Sequence, residues 1–513
     1  MSKESHDGQR GLRWGRIAGA LALLVIVAVF LAHWVWGTGA SNRLAKQVAA
    51  YKGAGEPIEP EDFIVAGVAD ADNAVLDFRS ATAALRKSSE EYKKYDRLDF
   101  GFPLRDEEIV VLRKVLADNA AALGHIDNAT QKTGVDWQLK FTQPVMLTLL
   151  PALNEQRELA MLLAADAMLA HHDGDDARAL KRLDQILFMG RANERQPFLV
   201  CHLVSIGINA LAADRADQLA PDLRIGTDGK AATREQVESL IRQLLDDKPM
   251  RDGQKMAFYG ERMSQLDTAR SLVSGKLNLN QLAGPGGAAT NVASAVAGYA
   301  LRPMFSGDGL IMIQQTTAIL SAAQAAADWP GYQKSAPKLP LALMSQPWKH
   351  VLARIMMPSL DRAVQTDYRS MTDRRLTAAA LAMRLYALDH GGNRPATLSE
   401  LIPKYLPAIP LDAMAAGAPI RYIPDPKRPL LYSAGENGID DGGNDTPTNS
   451  RPLNPGRWQR MDAVMDLTRQ PRLAPQPMDD GVGGLSTQPA ATESAIPTEP
   501  SPTAPQASTQ PAS

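Results

Sequence analysis

The chain is poor in the residues that carry most enzyme chemistry: it has one cysteine and eight histidines in 513 residues, and 5% of it is aromatic. The lone cysteine, Cys201, excludes an intrachain disulfide framework. It lies in the apolar run "FLVCHLVSIGI" and reads as a small buried side chain rather than a nucleophile. Charge of one sign is also missing, since 55 Lys and Arg stand against 57 Asp and Glu. That balance offers no basic field, so nucleic acid is not an expected partner.

The scarce reactive residues do not assemble into a motif. His171-His172-Asp173 with Asp175 and Asp176 is the densest run of metal-ligand types. Adjacent histidines on a helix point about 100° apart, so the run reads as helix-terminus chemistry instead. His202 sits among apolar residues and reads as a satisfied core histidine. Asp389-His390 ends a helical pattern, with no G-x-S-x-G to supply a nucleophile. "AGPGGAATNVASAVAG" (283–298) lacks the G-x-x-x-x-G-K-[ST] spacing of a phosphate cradle and reads as a loop between helices. The expectation is a non-enzyme with no catalytic residue and no cofactor-binding residue. The alternative is an enzyme with an unrecognised site in the helical domain.

What the sequence does have is one long hydrophobic run. From Ile17 to Trp36 it is apolar apart from His33, and about 20 residues span a bilayer core. Trp14 stands at one end and Trp34 and Trp36 at the other, where amphipathic rings favour the interface. Residues 17–36 are longer than the apolar part of a cleaved signal peptide, so a signal anchor is expected, with the membrane as partner. No later run of spanning length is read. Lys3, Arg10, Arg13 and Arg16 precede the span, and Arg43, Lys46 and Lys52 follow it. This slight bias favours a cytoplasmic tail over 1–16 and an extracytoplasmic body.

Beyond the Gly/Pro/acidic connector "YKGAGEPIEPEDF" the pattern is helical. "DADNAVLDFRSATAALRK" and "DEEIVVLRKVLADNAAAL" each open on carboxylates and continue at 3–4 spacing. Leu159, Leu162 and Leu169 mark one helix and Leu180, Leu183 and Leu187 the next. Gly174 suits the stop between them, and Asp175 or Asp176 the restart. Two more helices follow through "FLVCHLVSIGINALAADRADQL" and "TREQVESLIRQLLDD". A long one runs from Ser359 to His390. Then the texture changes. "TLSE" (397–400) is a capping box, "IRYI" (420–423) and "LLYS" (430–433) are strand-like, and a third strand is expected near 462–468.

The block from Arg374 to Gly443 resembles the globular part of type II secretion major pseudopilins. The matching pieces are Tyr386, Leu398 to Leu401, Tyr405-Leu406, Pro410 with Asp412, Tyr422, and Ser433-Ala434-Gly435-Glu436-Asn437-Gly438. From the anchor to about residue 470 the chain also resembles membrane-anchored proteins of planctomycete-like bacteria, a likeness that brings no activity with it. The departures are specific. No prepilin-peptidase site is present, so assembly as a pilin subunit is not implied. In pseudopilins the last loop binds calcium through two aspartates, at positions held here by Leu430 and Asn437. The loop therefore reads two ways: as turn chemistry with a solvated rim, or as a weak calcium site built from Asn437, Asp440 and Asp441. The fold class expected is mainly α. Transmembrane helix 17–36 leads to a helical-hairpin bundle or scaffold over 37–350. A long helix with a small α+β pseudopilin-like module follows over 351–470, and a disordered Pro/Ser/Thr/Ala-rich tail over 471–513. Functionally this points to a single-pass envelope scaffold with protein partners, linked to type II secretion.

Overall fold

The fold begins with one uninterrupted helix, α1 (Glu4–Gly53), which carries the apolar span well past Trp36. The computed structural model describes residues 4–64, 67–148, 150, 153–277, 291–346, 349–357, 360–449 and 456–468. All belong to one compact unit ending at Leu473. The tail 471–513 lies outside them. From Ile17 to Trp36 the large apolar side chains of α1 are exposed, while Ala40, Leu44, Val48 and Tyr51 are buried in the body. By length and composition α1 can cross a membrane.

The body is helical. Asp70 and Asp72 form a single tight turn, and α2 (Ala74–Ala84) starts only after Asn73, whose side chain accepts the Val75 N–H at 3.1 Å. Helices α3 (Glu90–Asp96), α4 (Asp106–Asp118) and α5 (Ala120–Ala129) follow. The stretch read as one helix is thus two, because Asn119 folds its amide onto Val115 O (2.9 Å) and accepts the Arg86 N–H (2.8 Å). The expected hairpin is α6 (Leu153–His172) and α7 (Asp176–Asn193). Gly174 turns the chain at φ +76°, and the Asp175 side chain accepts the Arg178 N–H.

Helix α8 (Leu199–Leu219) is, by length and composition, apolar enough to cross a membrane, contrary to the expectation of no second such run. Most of it is buried inside the body, however, which accounts for its apolar composition. Helix α9 (Arg234–Leu245) begins at a Thr233/Gln236 capping box, and α10 (Lys248–Ser274) is followed by α11 (Asn291–Ala325). The second half of the glycine-rich stretch read as a loop is therefore helical from Asn291, since its Ala-rich text favours helix; residues 283–290 lie outside the described ones. Short helices α12 (Trp329–Ser335), α13 (Leu341–Ser345) and α14 (Val351–Met356) lead to α15 (Leu360–Asp389).

The three expected strands form an antiparallel sheet in the order β1 (Arg421–Ile423), β2 (Leu430–Ser433), β3 (Ala463–Asp466). Tyr422 pairs with Leu431, and Leu431 with Met465. One hydrophobic core joins sheet and helices: Leu162, Leu183, Leu240, Leu381, Ile420, Leu431 and Met465 belong to the same buried cluster. Residues from both sides of position 351 thus share one interior.

At the foot of the body, Arg262 locks α1 in place. The side chain is 1% exposed. Its guanidinium donates to Glu56 (2.6 Å), the Pro57 carbonyl (2.9 Å) and the Thr317 hydroxyl (3.1 Å). It also lies over the Tyr51 and Tyr259 rings, at 4.1 and 4.7 Å.

Candidate functional site: a charged cleft beside the sheet

Asp412 and Ser433, two of the residues matched to pseudopilins, meet in space. The buried Asp412 carboxylate accepts the Ser433 hydroxyl (2.8 Å), the Ala434 N–H (3.0 Å) and the Met414 N–H (2.9 Å), and Arg421 stands 3.3 Å away. This carboxylate ties the 410–420 segment to the end of β2, so its role is structural. Gly435 must be glycine: φ is +66°, and a Cβ there would lie 2.2 Å from the Met461 carbonyl.

The loop that follows is organised around Asp462, which sequence reading missed. It is fully buried and accepts N–H groups from Asp441 (3.3 Å), Gly443 (2.8 Å) and Asn444 (3.0 Å). The signal was faint, because Asp462 precedes a strand more than twenty residues downstream of the Asn437 turn. The three candidate calcium ligands are engaged within the protein, two of them with each other. Asp440 turns to Arg421 Nε (2.7 Å) and the Tyr432 hydroxyl (3.2 Å). Asn437 donates to Asp441 (3.1 Å) and accepts the Ile439 N–H (2.9 Å). Partial burial works against ionisation of Asp440, but the Gly442 N–H and Arg421 outweigh it and hold its carboxyl below the usual aspartate range. Glu436 pairs with Arg369 on α15. In this arrangement the Arg421 guanidinium neutralises the Asp440 carboxylate. Among the described residues no group of three or more His, Cys, Asp or Glu is placed to hold a metal.

Between this module and helices α8 and α15 lies a cleft of about 730 Å³. Its charged lining includes Asp214, Asp373, Arg428, Arg457, Arg460 and Asp466. Arg457 bridges its two sides, donating to Asp217 on α8 (2.7 Å) and Asp373 on α15 (3.0 Å). Trp458 Nε1 also donates to Asp373, at 2.9 Å. Burial pushes Asp217 up to about 6, with Arg457 opposing it, and Asp373 is raised for the same reason. Arg428 holds Asp445 (2.5 Å) and Asp466 (3.1 Å). The cleft lining is about half apolar, and its three arginines face four aspartates (Asp214, Asp373, Asp445 and Asp466), with Arg428 and Arg457 already paired to three of them.

The histidines divide as their positions dictate. His171 is buried against Asp176, which also accepts from Arg224 Nε at 3.0 Å, whereas His172 points to solvent. His202 is buried between two carboxylates, Nδ1 at 2.6 Å from Glu194 and Nε2 at 2.9 Å from Asp367. Gln254 donates to Asp367 at 2.5 Å. Burial disfavours the charged ring, but Glu194 and Asp367 outweigh it and hold His202 well above the ordinary histidine value. The imidazolium pins α8 to α15, 165 residues apart in sequence. Cys201 is buried, and its thiol is pushed up to about 12 by burial and by Glu194, which leaves it inert. His390 stacks on Tyr386 at the exposed end of α15. Compared with known protein families, curated proteins and solved structures, this chain matches none.

Proposed function

We propose that the chain is a single-pass, membrane-anchored envelope protein without catalytic activity. Its helical body, on the extracytoplasmic side, presents the C-terminal module and adjoining cleft to a protein partner. The observation that carries this reading is the split character of α1, apolar and exposed to Trp36 and then packed on the body through one face, Ala40, Leu44, Val48 and Tyr51. Such a helix transmits the position of the membrane rigidly to the fold. The pseudopilin-like motif string extends the reading to pseudopilins or their cargo as partner.

Membrane fractionation with protease added outside spheroplasts tests the anchoring and the orientation. The expected result is membrane association with digestion of everything after the span. A body protected until lysis would reverse the orientation. Photocrosslinkers on the cleft rim, followed by recovery from membranes, test the partner.

A second reading, an enzyme, draws on the raised Asp217 and Asp373 beside the cleft. A small molecule that raises the melting temperature of the wild type but not of Asp373→Asn would favour it.

A further inference from the structure

We propose that the body carries a second membrane contact, a collar formed by residues 339–346 and 349–355 that rests on the anionic headgroup surface of the bilayer spanned by α1. The collar rests on the reading of α1 as a membrane span, and the register between α1 and α11 puts it at the right height. The Cβ of a residue placed at Gly37 would touch Pro303. Ser41 and Ser306 are hydrogen-bonded at 3.1 Å, and Gln314 donates to Gln47 at 3.1 Å. The two helices therefore run parallel, and α11 continues from Pro303 back to Asn291 in the direction of the span. That continuation is about 18 Å long, more than half of a hydrocarbon core of about 30 Å. No charged residue occurs from Asn291 to Leu301, as a helical segment beside lipid requires.

The collar is fastened to α11 just above that level. Asp308 binds His350 Nδ1 at 2.7 Å and accepts the N–H groups of Leu352 (3.0 Å) and Ala353 (3.2 Å). Leu343, Leu352, Ala353 and Met357 pack with Phe305 and Leu277. Asp308 follows Ser306, the partner of Ser41, by only two residues. Ser41 lies five residues past Trp36, about 8 Å along the helix and within the headgroup layer. Four large apolar side chains of this segment face outward: Leu341 is 81% exposed and Ile355 57%, with Leu339 and Val351 also exposed. Such clustering near the end of a membrane helix calls for a covering surface. The charge of the segment selects the lipid. Between Asp328 and Asp361 there is no acid, while Lys334, Lys338, Lys349 and Arg354 are all basic. Apolar side chains entering the interface beside lysines and arginine match an anionic leaflet.

Depth-dependent quenching tests the collar in the full-length chain. In a Cys201→Ala background, single cysteines (Leu341→Cys, Ile355→Cys, Leu24→Cys and Val110→Cys) are labelled with a bimane fluorophore. The protein is reconstituted into phosphatidylethanolamine/phosphatidylglycerol vesicles with brominated acyl chains. Strong quenching is expected at Leu24, substantial quenching at Leu341 and Ile355, and none at Val110. Quenching at Leu24 with collar sites as dark to bromine as Val110 would overturn the collar and leave the anchor standing. No quenching at Leu24 would overturn the anchor itself. In phosphatidylcholine vesicles, collar quenching should fall while Leu24 is unchanged; equal collar quenching in both would overturn the anionic preference.

Discussion

His202 keeps its proton because both ring nitrogens face carboxylates, in an interior where an unpaired charge is costly. Replacing it with Gln leaves Glu194 and Asp367 buried without a cation, and the expected loss is about 3–5 kcal/mol in chemical denaturation. The raised pKa also fixes a pH signature. The contribution of His202 is present in full below about pH 6.5, the unfolded value, and is lost as pH rises through the higher folded one. The stability gap between wild type and His202→Gln should therefore narrow on the alkaline side. Arg457 plays the corresponding part in the cleft. Arg457→Met removes the shared partner of Asp217 and Asp373 and should cost about 3 kcal/mol, part of it recovered in the Arg457→Met/Asp373→Asn double variant. Asp217, raised to about 6, acts with the opposite sign to a salt-bridged surface acid. Its contribution is full below about pH 4 and lost as pH rises through about 6, a slope that Asp217→Asn should erase.

Between elements, the joint that matters most links α1 to α10 and α11 through Arg262. Glu56, Pro57, Tyr51, Tyr259 and Thr317 all converge on one guanidinium. Arg262→Ala empties that position and should cost about 2–4 kcal/mol by the loss of buried packing, hydrogen bonds and cation–π contact. Limited proteolysis near Gly53–Glu59 should become faster in the variant, and unchanged cleavage would show that the joint does not depend on Arg262. The same scale explains why helix ends were legible. Gly174, Asp175, Thr233 and the Thr397/Glu400 box satisfy backbone groups a few residues away, so their signals are local. Asp462 works across some twenty residues, and no local pattern announces it.

For the whole molecule, the shared buried cluster places β1–β3 and helices α2 to α9 and α15 in one cooperative unit. Asp217→Asn or His202→Gln should therefore shift the unfolding of both together. The tail offers few large apolar side chains to bury, so a chain ending at Leu473 should melt at the same temperature as the full one. A lower melting temperature would show that the tail packs against the fold.

The sequence alone determined the α6–α7 hairpin, the long helix α15, the three strands and where the apolar span runs, because helix caps, 3–4 spacing and a twenty-residue apolar run act within one or two turns of chain; it missed the break at Asn119 and the helix that starts at Asn291. It also foretold that Cys201 and His202 are buried, since both sit in an apolar run. Only the tertiary structure decided that His202 is charged between Glu194 and Asp367, that Arg421 takes Asp440, and that Arg457 closes a cleft between α8 and α15. Each of these pairs joins residues from separate elements. A charge is settled by the nearest opposite charge in a medium of low dielectric, and sequence spacing does not contain that distance.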